Sequence, residues 1–132
     1  MSPDLRSGEA DDHFHDECGV FGIFGRQDAA AVTALGLHAL QHRGQEAAGI
    51  VSFDGSQFCV ERHVGLISDN FTKQSVIDRL QGARAIGHTR YSTTGGAGLR
   101  NVQPLFAELA QGGFAVAHNG NITNAIDRKS VV

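Results

Sequence analysis

The first long apolar run opens at residue 19. Val20, Phe21, Ile23 and Phe24, spaced by glycines at 19, 22 and 25, read as a buried β-strand. Ahead of it, residues 1–16 hold few large apolar side chains and much charge, so a disordered or loosely attached leader is expected. Behind it, Asp28 is a good helix N-cap before Ala29-Ala30-Ala31. A helix is predicted from there to about Gln41. Its apolar residues Val32, Leu35, Leu37, Ala39 and Leu40 spread over much of the circumference, which predicts packing between layers. Gly36 inside it costs about 1 kcal/mol relative to Ala and points to a close neighbour.

Further on, His42 to Gly49 reads as a polar loop with Gly44, leading into a strand at Ile50-Val51-Ser52-Phe53. Asp54-Gly55 is a hairpin signal, with Gln57 to Glu61 as the return strand. Cys59 alternates with polar neighbours there and reads as structural. Gly65 to Asn70 is expected to be a loop. A short helix follows from Thr72 or Lys73 to Leu80, with Val76, Ile77 and Leu80 on one face. A strand from Ala85 ends in a loop carrying Arg90, several hydroxyls and the glycines at 95, 96 and 98. A last strand, Phe114 to Ala117, ends in a His118-Asn119-Gly120 turn.

Length and composition narrow the function class. A chain of 132 residues with 41% hydrophobic content is one domain at most, with enough apolar mass for a core. Two cysteines far apart make a weak disulfide case. No 18-residue apolar run is present to span a membrane, and the acidic N-terminus does not resemble a secretory signal. A cytoplasmic location is therefore expected. Residues 1–17 carry a net charge of −5 out of −3 for the whole chain, leaving the remainder at +2. Such a body suits a small anionic substrate. It lacks the basic, aromatic-studded patch that nucleic-acid binding needs.

Chemistry concentrates at three predicted strand ends. Cys18 stands at the mouth of the first strand. Cleavage after Glu17 would give one residue a thiol nucleophile and an α-amine with an ordinary pKa of about 7.7–8.0, near enough to neutrality to act as its base. The alternative is a small buried hydrophobe, the usual state of a free cysteine. His13, His15, Asp16 and Cys18 could also be read as metal ligands, but they lack paired zinc-module spacing. Arg90 at a strand end offers a planar fork for a carboxylate, or an ordinary surface salt bridge. Asn119 and the Gly120 N–H could aim two donors at an oxyanion, or simply form a turn.

Four stretches carry a resemblance. Glu17-Cys18-Gly19-Val20-Phe21-Gly22-Ile23, Leu40-Gln41-His42-Arg43-Gly44-Gln45-Glu46, Gly87-His88-Thr89-Arg90-Tyr91-Ser92-Thr93 and Ala117-His118-Asn119-Gly120-Asn121 together resemble the class II glutamine amidotransferase domains. Asn101-Val102-Gln103-Pro104-Leu105 is similar to the amidophosphoribosyltransferase branch of that family. The resemblance implies an α+β fold, the four-layer αββα sandwich of the N-terminal nucleophile hydrolases, present here only in its first part. It divides the chain into a propeptide at 1–17, the N-terminal part of the amidotransferase domain at 18–126, and a tail at 127–132.

The resemblance also implies the roles. Cys18 would attack the carboxamide of L-glutamine, and Asn119 with Gly120 would form the oxyanion hole. Arg90 would hold the α-carboxylate, with Thr93, Arg43 and Gly44 on the substrate side. Ammonia would pass to a phosphoribosyltransferase domain, absent here, that converts phosphoribosyl pyrophosphate to phosphoribosylamine, the first step of de novo purine synthesis. Mg²⁺ and a 4Fe–4S cluster would belong to that absent part, no cofactor to this chain, and a homo-oligomer to the full-length enzyme. The family's Thr-Ser-Asp segment, whose Asp grips the glutamine α-amine, is also absent, so the segment alone is expected to be inactive. Residues 127–132 depart from the family, and the codons GAT CGG AAG AGC GTC GTG for them would read like a sequencing adapter, so a non-native tail is expected. The competing readings are the glutaminase domain of glutamate synthase or glucosamine-6-phosphate synthase, or an inactive truncated interaction domain. The leader before Cys18 argues against glucosamine-6-phosphate synthase.

Overall fold

The computed structural model describes residues 18–41, 45–91 and 99–119. The predicted propeptide and tail, and the site residues Arg43, Gly44, Thr93 and Gly120, lie outside these. Ten short elements follow one another: β1 (Gly19–Phe24), α1 (Ala29–Leu40), β2 (Gln45–Phe53), β3 (Phe58–Val64), α2 (Ile67–Asn70), α3 (Gln74–Arg79), β4 (Arg84–Tyr91), a 3₁₀ turn (Leu99–Asn101), β5 (Leu105–Leu109) and β6 (Gly112–Val116). The first four strands form an antiparallel sheet in the order β1-β4-β2-β3, and β5 pairs with β6 in a second, two-stranded sheet.

The sheet's two faces bear different loads. One face presents Phe21 and Ile23 of β1, Ala48 and Ile50 of β2, Cys59 of β3 and Ala85 of β4 to the helices, where Ala29, Ala30, Ala34, Leu37, Ile67, Phe71, Val76 and Leu80 complete the core. Gly36 and Gly87 let α1 approach. A Cβ on Gly36 would enter the Phe21 ring, and one on Gly87 would meet Leu37 Cδ1 and Thr33 Cγ2 at 2.7 Å. The close neighbour expected at Gly36 is therefore Phe21. Cys59 packs against this core, as a structural residue should, and both cysteines are free.

The opposite face carries Phe53 and Phe58, whose rings lie 4.5 Å apart, with Phe106 of β5 5.1 Å from Phe58. A Cβ on Gly113 of β6 would meet the Phe58 ring at 2.7 Å. The β5–β6 hairpin thus lies on the face turned away from α1. Helices, four-stranded sheet and hairpin make three successive layers, the start of an αββα order.

Several expectations need correction. β1 is not buried on both faces: Val20 is 39% and Phe24 76% exposed, because β1 is an edge strand and the hairpin covers the far face only in part. Helix α1 does not pack between layers. Ala30, Thr33, Ala34 and Leu37 face the sheet while Leu35 is 69% exposed. Asp28 makes no side-chain cap; its carboxylate takes two hydrogen bonds from Arg26 instead, at 2.9 and 3.1 Å. Gln45 to Gly49 is strand rather than loop, since β2 is flanked by β3 and β4 and its small residues are paired on both sides. Ile67 to Asn70 is a helical turn, and Leu105 to Leu109 is a further strand, which pairs with β6. The Asp54-Gly55 hairpin formed as expected. Asp54 Oδ1 accepts the Ser56 and Gln57 N–H groups at 2.8 Å, and Gly55 takes φ +99°, a conformation that glycine adopts at little cost.

Candidate active site

Cys18 is half-buried and immediately precedes β1. Gly19 pairs with Thr89 of β4, and its N–H donates to Thr89 Oγ1 at 3.1 Å. The ladder ends there, so Cys18 and Arg90 are the next residues beyond its last pair. A side chain at residue 19 would be crowded, because its Cβ would lie 3.0 Å from both Leu40 Cβ and Thr89 Oγ1. The ladder therefore fixes residue 19, and with it the strand end that Cys18 precedes, against β4.

Arg90 is largely buried, its side chain 16% exposed. Its Nη1 donates to the Asn101 carbonyl at 3.0 Å, and its Nε lies 3.7 Å from Glu46 Oε1. Glu46 reaches it because of a β-bulge. Gln45 pairs with Tyr91 and Ala47 with Arg90, which leaves Glu46 as the extra residue. Bulges commonly re-aim a side chain next to a site. Gln45 holds the bulge in place: its Nε2 donates to the Ala47 and Gly65 carbonyls at 2.9 and 2.8 Å, and its Oε1 accepts the Ile67 N–H at 3.2 Å. Neither Gln45 nor Glu46 was given a role from the sequence. Both stand in the stretch that carries the resemblance, but nothing in their spacing marks a bulge.

The strand-end turn is tethered by Gln103. Its Oε1 accepts the His118 N–H at 2.7 Å, while Asn119 beyond is exposed. Gln103 itself crosses directly over Gly49, where a Cβ would overlap the Gln103 carbonyl oxygen. His88, cross-strand neighbour of Gly49, is 2% exposed. Burial chiefly lowers its pKa from 6.5 to about 4; the His118 backbone, the next largest influence, opposes this, and the charges of His118 and Arg90 lower it further by less. The imidazole is therefore neutral at pH 7.

The fold thus brings the strand ends bearing Cys18 and Arg90 together and places His118 and Asn119, just beyond β6, on the second face. Among the described residues no group of three His, Cys, Asp or Glu side chains could hold a metal ion. His13, His15 and Asp16 lie outside them. No described helix is long and apolar enough to cross a membrane.

No family model matches the chain. Individual relatives do. It is 68% identical over 115 residues to the amidophosphoribosyltransferase of Rhizobium etli, covering 87% of this chain and 23% of that protein. It is 49% identical over 116 residues to the Bacillus subtilis amidophosphoribosyltransferase, covering 87% of this chain and 24% of the relative. The chain belongs to the amidophosphoribosyltransferase family. It corresponds to a part of the family's N-terminal domain, and spans only about a quarter of the length of these relatives. Solved amidophosphoribosyltransferase structures share its α+β fold. The B. subtilis glutamine phosphoribosylpyrophosphate amidotransferase, complexed with ADP and GMP, superposes with a TM-score of 0.76 at 45% identity over 85% of this chain and 24% of that one. A structure described as the allosteric regulatory enzyme of purine biosynthesis gives 0.78 at 47% identity, with the same coverage.

Proposed function

We propose that this segment hydrolyses glutamine within a full-length amidophosphoribosyltransferase, and that Cys18 is the nucleophile. The observation that supports the reading is the antiparallel β1–β4 ladder, which ends at Gly19 and Thr89 and so brings the strand ends that bear Cys18 and Arg90 side by side. Removal of residues 1–17 frees the Cys18 α-amine. That amine takes the thiol proton as sulfur attacks the glutamine carboxamide carbon, then passes it to the departing ammonia. Water hydrolyses the resulting thioester and releases glutamate. Asn119 and the Gly120 N–H receive the oxyanion, a role typically worth about 2.7–4 kcal/mol per donor. Arg90 binds the α-carboxylate far from the reacting carbon, which fixes geometry and lowers the entropic barrier. Thr93, Arg43 and Gly44 complete the substrate side.

The ammonia serves, in the same proposal, to displace pyrophosphate from phosphoribosyl pyrophosphate and give phosphoribosylamine for purine synthesis. That step, its Mg²⁺, an iron–sulfur cluster and homo-oligomerisation belong to the part of the enzyme outside these residues, and the enzyme is cytoplasmic. The amidophosphoribosyltransferase relatives favour this branch over the glutamate synthase and glucosamine-6-phosphate synthase branches. The test uses the full-length enzyme. Its mature mass should begin at Cys18, and Cys18→Ser should lower glutamine hydrolysis by about 10³-fold or more while ammonia-dependent synthesis persists. Unchanged glutaminase activity in that variant would refute the assignment.

A further inference from the structure

His88 is a buried polar side chain that the proposed chemistry does not use. At 2% exposure, neither ring nitrogen has a hydrogen-bond partner. Leaving a buried polar group unpaired is costly, so native proteins rarely keep one without a use. The ring is not in a featureless core. It stands on the second face of β4, between Val20 of β1 and Gly49 of β2 in the register. Gln103 lies over Gly49 and holds the His118 N–H. Because Gln103 spans from Gly49 to the His118 N–H, the backbone at residue 118 comes to the same face of the sheet as the His88 ring. Gln103 secures the amide side of the turn, and His88 lies where it can secure the carbonyl side.

We propose that His88 is a positioning residue. Its ring N–H closes onto the His118 carbonyl when glutamine is bound, and so fixes the turn that presents the Asn119 amide to the oxyanion. The inference rests on the glutaminase reading above. A neutral imidazole suits this task, because it offers a donor without placing a second cation beside Arg90. Apo geometry at such sites is commonly loose and tightens only with substrate.

The test compares His88→Met, which keeps length but not the donor, with His88→Gln, which keeps a donor at similar reach, both in the full-length enzyme. His88→Met should lower glutamine-dependent kcat about 10- to 100-fold, with KM for glutamine and the ammonia-dependent rate both within about twofold of the parent. His88→Gln should recover to within about threefold. In an Asn119→Ala background, His88→Met should cost less than about threefold, since the group it positions is gone. Full kcat in His88→Met, equal loss in Met and Gln variants, a loss carried by KM, or multiplicative losses with Asn119→Ala would each overturn the proposal. Failure of the glutaminase reading itself would show separately, as a glutamine-dependent rate in the parent that survives Cys18→Ser.

Discussion

Replacing Gly49 with alanine should couple the core to the site. Gly49 sits in β2, paired on both sides, and its missing Cβ faces the second layer. There it would overlap the Gln103 carbonyl oxygen and approach Arg62 Cγ at 2.9 Å. The arginine stem can swing aside. Gln103 cannot easily do so, because Val102 is 1% exposed and Pro104 is among the fully buried side chains. Forcing one extra carbon into such packing costs about 1–3 kcal/mol. Lifting Gln103 also strains its 2.7 Å bond to the His118 N–H, a further ~0.5–1.5 kcal/mol. A loss of about 2–4 kcal/mol is expected against a folding margin of about 5–15 kcal/mol, so the domain still folds. The displaced Asn119 should lower glutamine-dependent kcat by about tenfold or more, since small misplacements are costly in catalysis. Urea unfolding and steady-state kinetics of the full-length enzyme measure both effects. Gly22→Ala is the control, because a Cβ there meets only ordinary contacts, the nearest Ile86 Cγ2 at 3.4 Å. If Gly49→Ala unfolds at the same urea concentration as Gly22→Ala, the close crossing of Gln103 over β2 is wrong.

Acid should destabilise the fold through His88. Its folded pKa of about 4 lies below the ordinary 6.5, so the unfolded chain binds this proton more tightly. The stability is complete above pH 6.5 and is lost as pH falls through 6.5 towards 4, by about 3 kcal/mol at most. Asp54 and Glu61, whose pKa values are held low by hydrogen bonds from the Gln57 backbone and from Arg79 respectively, act only at lower pH. His88→Met should flatten urea midpoints between pH 6.5 and 4.5; an unchanged slope would remove His88 as the cause. Arg90→Lys should raise KM for glutamine roughly 10-fold with little change in kcat, because a point charge replaces a planar fork that binds ground and transition states alike. An unchanged KM would exclude Arg90 as the carboxylate anchor.

Local signals were legible wherever one residue type permits few conformations. Asp54-Gly55 had to turn, Gly36 had to face something close, and Val76, Ile77 and Leu80 had to share a helix face. Cys18, Arg90 and Asn119 could be singled out because a thiol, a guanidinium and an Asn-Gly turn at strand ends are chemically distinctive. The limits of β2 were not legible, since Gln45-Glu46-Ala47-Ala48-Gly49 has no strand period and becomes strand only through pairing on both sides. Asp28 failed as a cap because Arg26, two residues away, offered its carboxylate a charged partner.

By itself, then, the sequence determined α1, α3, the β2–β3 hairpin, the three chemical groups and the family. Only the tertiary structure decided which of them meet. Antiparallel pairing of β1 with β4 sets Gly19 against Thr89 and so brings the strand ends bearing Cys18 and Arg90 together, and a single bulge delivers Glu46 to the Arg90 guanidinium. The same packing buries His88 beside Gly49, over which Gln103 crosses. Periodicity along a chain reports which face a residue occupies, whereas register and bulges depend on the strand lying opposite, so these juxtapositions appear only once the sheet has formed.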